Sequence, residues 1–279
     1  MVMQTRRTAT PNNPPTGLAQ GQLAVGMADT PPSLWVGVPT TLDPSGRKLI
    51  SPVTPQLKVT RRVFNASGTY TPPAGLQYAL VECIGGGGGG GSAYGAGTLG
   101  GGGGGGSGGY SSDILAAAQI GASQTVTIGT AGDSTSSGGM TSFGSLVTAP
   151  GGGLGQIFDG ASHWGLGGSA APGAGEPGGG TTTTPSAIVL AGTQGYAGYV
   201  SPFQGTGGPI SVGVGGAGAP AMYLGRPGGQ VYAFAGQSPS GLTGSFGCGG
   251  GGAAVNNPGQ VAVGGAGGAG VCLVTEYSF

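Results

Sequence analysis

Charge is the scarcest commodity in this sequence. Only 6% of the 279 residues are charged, the formal net charge is zero, and mean hydropathy is +0.14. A solvated disordered tail needs low hydrophobicity and high net charge, so that class is excluded. There is one histidine, His163, and the three cysteines (Cys83, Cys248, Cys272) lack CxxC spacing, which removes the usual metal frameworks. No apolar run approaches the roughly 18 residues of a spanning helix. Residues 1–15 lack the apolar stretch that an export signal needs after Arg6 and Arg7. The expectation is a chain made in a cytoplasm, with no cofactor and no membrane insertion.

The few charges are segregated. Seven of eight basic residues lie in the first 62 positions, with two of eight acids, a net of +5. Residues 63–279 keep one base, Arg226, and six acids, a net of −5. Such a break marks two modules, read as an attachment and oligomerisation segment with connector over 1–60 and a distal domain over 61–279. The basic side lacks interleaved aromatics, so no nucleic-acid partner is expected.

Glycine is what the sequence has. With 71 glycines and 21 prolines, about a third of the chain is of two residue types, and no Gly-X-Y register makes it collagen. Residues 85–91 and 100–106 are unbroken glycine. Such runs are either loose coil or rods of the polyproline II kind, three residues per turn and about 22 Å for seven residues. Buried rods must satisfy their outward-pointing N–H and C=O groups through one another, and a Cβ would keep them apart. An enclosed rod therefore needs glycine at all three phases, as in 85–91 and 100–106. An edge rod tolerates one outward row, as in 264–270 (GGAGGAG), where Ala266, Ala269 and Cys272 share a phase. A parallel bundle is expected. Ordering the two runs costs about 7–14 kcal/mol relative to alanine, tolerable only if nearly every backbone group is paired.

Ordinary strands bracket this body. Residues 63–70 and 77–84 read as strands around Pro72-Pro73, the second apolar on both faces, and GVCLVTEYSF closes the chain with another. The two ends are expected to meet in one sheet, making Cys83 and Cys272 neighbours and a candidate disulfide. Inside the body, 124–129, 143–149, 187–192, 209–214 and 230–236 read as strands, with a weak helical pattern over 112–119. The fold class is mainly β with polyglycine II-type helices and little or no α-helix. In the first module, residues 23–25 and 34–36 form a hairpin needing another chain or copy to pair with.

Catalytic signals are absent. GxGxxG matches arise by chance and none links a strand to a helix, Lys48 and Lys58 lie outside the glycine runs, and His163 has no nucleophile motif. The chain therefore reads as non-enzymatic. The loops beside the rods carry Tyr94, His163, Trp164, Tyr196, Tyr199, Phe203 and Tyr223. Bare backbone cannot recognise a ligand by side chains, so these loops and Arg226 are the candidate contact residues. Capping of the bundle is the other role such aromatics can fill.

VFNASGTYTPPAGLQYALVECIGGGGGGG, GGMTSFGSLVTAPGGGLG and GAGVCLVTEYSF resemble the glycine-rich domain of tailed-bacteriophage fibre proteins. GQLAV with LWVG resembles their N-terminal segment. The resemblance covers most of the chain. It implies a virion fibre or fibre tip, often a homotrimer, attached to tail, baseplate or collar proteins through Leu23, Val25, Leu34, Trp35 and Val36. Its loops would face a host glycan or outer-membrane protein, with Arg226 suited to an anionic glycan. An architectural collar or decoration fibre is the alternative, ahead of a silk-like matrix protein or an envelope-glycan hydrolase.

Overall fold

The computed structural model describes residues 57–95, 99–159, 187–205, 208–221 and 225–279, together with 6–8, 20, 23–26, 33–37, 39–41 and 47–52. It is mainly β, and its one described helix is a single turn, Ala117–Ile120. The chain divides into two compact units, Met1–Lys58 with Phe279, and Val59–Ser278.

In the first unit, Leu23–Gly26 and Ser33–Gly37 pair antiparallel as a hairpin. Its partners come from the same chain: Arg47–Pro52 pairs with the second strand and Arg6–Thr8 runs parallel to the first. The expectation that only another chain could complete this hairpin is thus corrected. The two flanking strands give the hairpin the neighbours it cannot stand without.

The second unit is rooted in two facing sheets. One has the order Ile188–Leu190, Tyr110–Ala116, Leu76–Ile84, Val271–Ser278, Lys58–Phe64, so the chain's two good strands are neighbours at its centre. The other runs Val147–Ala149, Thr141–Phe143, Gln124–Thr127, Gly68–Tyr70. Period-two alternation sends Ala79, Val81, Cys83, Leu115, Cys272 and Val274 inward, against Tyr70, Val126, Phe143 and Val147. Tyr78 on the outer face stacks on its cross-strand partner Tyr277, with centroids 4.8 Å apart. Leu76–Ile84 is thus buried along its inner face, while its outer face is exposed at Tyr78, half-buried at Leu80 and Glu82, and buried at Ile84 against Val271 and Leu273. Two other expectations are corrected. Residues 63–70 are split between the two sheets at the bend around Asn65–Ser67, and the helical pattern over 112–119 is strand through Ala116 before one turn of helix.

The glycine runs continue straight out of these strands. Gly85 follows Ile84, Gly109 precedes Tyr110, and Gly270 precedes Val271. Along 85–91 the N–H groups point in three directions in turn. Gly85, Gly88 and Gly91 donate to the carbonyls of Gly109, Gly106 and Gly103 at 2.8–3.0 Å. Gly86 and Gly89 donate to Gly139 and Ser136, and Gly87 and Gly90 to Gly268 and Gly265. The remaining sides accept: Gly152 and Gly155 donate to Gly86 and Gly89, Gly250 and Ala253 to Gly88 and Gly91, and Gly132 to Gly87. This is a three-residue screw enclosed by neighbours. Partner numbers fall along the donating sides and rise along the accepting ones, so the bundle mixes antiparallel and parallel rods where a parallel one was expected.

Close approach requires the glycines. A Cβ on Gly87 would sit against the Cys248 carbonyl, and one on Gly88 against that of Gly153. The 264–270 rod is an edge, as its sequence implies: Val263 and Ala269 are exposed and Ala266 half-buried, while the intervening glycines are buried. Cys272 departs from that row. The strand starts at Val271, the period drops from three to two, and the side chain turns fully inside.

Candidate binding surface

Away from the sandwich, the rods end in short ribbons. Ala93–Tyr94 pairs with Val261–Ala262, and Gly100–Gly101 with Ala254–Val255. They close over a small apolar cluster of Ala93, Phe158, Ala253, Val255 and Ala262. Phe158 is fully buried, its N–H donating to Ser92 O and its carbonyl accepting from Tyr94 N–H. Here an aromatic beside a glycine stretch caps the bundle. Tyr94 is one residue past this cap and exposed, opposite Val261.

A three-stranded sheet, Tyr199–Gly205, Gly208–Gly215 and Val231–Ala233, lies against the same ribbons. Its inner side holds Val231 and Ala233 against Ala254. Register puts Tyr199 opposite Val214 and Val214 opposite Tyr232, so the two tyrosines share a face on either side of that valine. Two strand spacings separate them by about 9.5 Å. Tyr199 is 39% and Tyr232 50% exposed, and the Tyr232 hydroxyl donates to Gln230 Oε1 at 3.1 Å. Tyr196, 61% exposed, is anchored through its backbone, its carbonyl accepting from Gly104 N–H.

Tyr94 and Tyr199 thus belong to one end of the bundle, with Tyr196 part-way along a rod beside Gly104. Arg226 does not. It sits on the flank, where its N–H donates to Ser245 Oγ at 2.8 Å and its carbonyl accepts from Ser245 N–H at 2.9 Å. There it lines an open cleft of about 440 Å³ with Pro227, Leu242, Thr243 and Ser245. Among the described residues the only ion pair is Arg62–Glu276, so no described carboxylate neutralises this guanidinium. His163, Trp164 and Tyr223 lie outside the described residues, as does the Phe203 side chain, whose backbone is in the 199–205 strand. Leu34, Trp35 and Val36 are half-buried in the first unit; Leu23 and Val25 occupy its neighbouring strand, their side chains outside the described set.

No group of three or more His, Cys, Asp or Glu among the described residues could hold a metal. Asp133 accepts from Thr135 Oγ1, Thr135 N–H and Ser136 Oγ at 2.7–2.9 Å, which lowers its pKa and pins a turn. A glycine-rich domain model matches residues 63–277.

The chain belongs to the glycine-rich domain family.

The match spans the sandwich, the rods and their caps as one domain. Comparison with curated proteins finds no match. Sequence reading missed Tyr232 in this glycine-rich domain, although its alternation with the apolar Val231 and Ala233 was the signal that it faces outward.

Proposed function

We propose that this protein is a structural virion fibre protein, a tail fibre or fibre tip of a tailed bacteriophage. In this reading the glycine-rich domain meets the bacterial surface, and residues 1–60 attach the fibre to other virion proteins. The observation that carries it is the enclosed 85–91 rod, every N–H of which donates to a neighbouring carbonyl. Paired backbone on every side makes a stiff spacer, and stiffness is what a contact surface held away from a particle requires. The exposed tyrosines at the rod ends support a binding role, because aromatic side chains offer large contact area at low entropic cost. The Arg226 cleft suits a carboxylate or phosphate on a host glycan.

Assembly as a homotrimer is part of this reading. The outer face of the five-stranded sheet exposes Val59, Val63, Tyr78, Ile114 and Ile188, apolar side chains that contact between copies would take out of water. The test is competition. Purified protein added in excess should slow adsorption of the parent particle to its host, and gold-labelled antibody should mark fibre ends on the virion. Labelling at the neck with no effect on adsorption would favour an architectural collar fibre instead.

A further inference from the structure

We propose that Cys83 and Cys272 are an oxidation site: a disulfide between them staples the two ends of the glycine-rich domain. The residues are directly opposite on adjacent antiparallel strands, with Sγ atoms 3.6 Å apart and both side chains 0% exposed. Facing residues on such strands have Cα atoms about 4.5–5.5 Å apart, inside the span a disulfide bridges. Closure therefore needs side-chain rotation and no change of register.

Their position gives the bond its consequence. Cys83 lies two residues before the first rod begins at Gly85, and Cys272 two residues after the last ends at Gly270. Every glycine run of the domain falls between them. In the reduced protein strand pairing, ring stacking and core packing join the two ends without a covalent link, and the unfolded chain explores the freedom of a long glycine-rich loop. A cross-link over so long a loop removes more of that freedom than one over a short loop.

The redox step balances with a small-molecule disulfide such as oxidised glutathione. One cysteine thiolate attacks a sulfur of the oxidant, forming a mixed disulfide and releasing a glutathione thiol. The second cysteine thiolate attacks the protein sulfur of that mixed disulfide and releases the other glutathione. Two protein thiols lose two electrons and two protons, and the oxidant becomes two thiols. Burial governs when this happens. The Cys83 thiol, which also lies 4.0 Å from Val147 O, is held well above its ordinary pKa by its hydrogen bond to Cys272 and by desolvation. Few thiolates form in the folded state, so the bond closes as the strands pair in an oxidising medium, or when the last strand opens. This inference is independent of the proposed function.

The experiment refolds the full chain in a mixture of oxidised and reduced glutathione, then alkylates it under denaturing conditions and maps the peptides. Expected is a loss of about 2 Da with Cys83 and Cys272 linked and Cys248 alkylated. The oxidised form should also show a guanidinium midpoint about 0.5–1 M above the reduced form. That shift should persist in Cys248→Ser and vanish in the Cys83→Ser/Cys272→Ser double variant. Should the double variant fail to fold, the oxidised and reduced forms of the unaltered chain still give the comparison. Linkage through Cys248, no linkage after oxidative refolding, or equal midpoints would each overturn the proposal.

Discussion

Arg62 Nε reaches Glu276 Oε1 at 2.8 Å, from the edge strand of the five-stranded sheet to its neighbour. The carboxylate side chain is 2% exposed and the guanidinium side chain 41%, so the pair is a buried acid served by a half-exposed base that also lies 5.5 Å over the Tyr70 ring. Arg62→Ala strands a carboxylate in the interior and should destabilise by about 1–3 kcal/mol, the low end reflecting solvent reach on the arginine side. Glu276→Gln removes the charge with its partner's purpose and should cost less. Guanidinium unfolding of the two variants measures the difference; equal losses would mean that the buried charge is not the governing term.

The same cluster sets an alkaline limit. Burial, and then the adjacent Glu276 carboxylate, raise the pKa of the Tyr70 phenol above its ordinary value near 10. Above that pH the unfolded chain releases the phenolic proton while the folded chain keeps it, so stability falls as pH rises. Unfolding midpoints should decline above about pH 10 and decline less steeply in Tyr70→Phe. The decline left in that variant should carry the Cys83 thiol, whose pKa is raised in the same direction. Identical pH profiles for the two proteins would remove Tyr70 from the account.

Glycine substitution separates packed backbone from flexible backbone. Gly87→Ala and Gly88→Ala push a Cβ into a neighbouring carbonyl and should each cost at least about 2–3 kcal/mol, or prevent folding. Gly68, in the second sheet, has nothing within 4 Å of an added Cβ. Gly68→Ala should be neutral, or stabilising by about 0.4–1 kcal/mol through the unfolded state. If all three behave alike, close contact between rods is not what the glycines are for.

Amide exchange reads the rods directly. The N–H groups of 85–91 and 102–109 are bonded to carbonyls throughout, and should exchange as slowly as those of Val81 and Val274 in the sandwich. Exchange at the rate of an open coil would show the runs to be tethers.

Contact by the rod ends predicts selective losses. Tyr94→Ala and Tyr199→Ala should leave stability within about 0.5 kcal/mol, since both side chains are exposed. If these are anchors of the proposed interface, each should weaken binding to host cells by roughly tenfold or more. Arg226→Gln should reduce binding together with its dependence on salt. Undiminished adsorption inhibition by all three variants would move the contact surface elsewhere.

Much of this architecture is written locally. Glycine at every phase of 85–91 specifies a rod enclosed by others, and alanine at every third place in 264–270 specifies an edge, because a Cβ either fits beside a neighbouring backbone or does not. Short apolar runs mark Leu76–Ile84 and Val271–Ser278 as strands, likewise from local sequence. Direction and neighbourhood are not local. A glycine rod presents the same groups to a parallel and an antiparallel partner, so nothing within 85–91 names the 103–109, 136–139 and 265–268 segments as its acceptors. The bend that sends Lys58–Phe64 and Gly68–Tyr70 into different sheets, the pairing of Arg62 with Glu276, and the separation of Arg226 from the tyrosines at the rod ends depend on contacts between distant parts of the chain. Only the assembled sandwich and bundle decided them, because residues far apart in sequence must meet before their geometry can select one pairing over another.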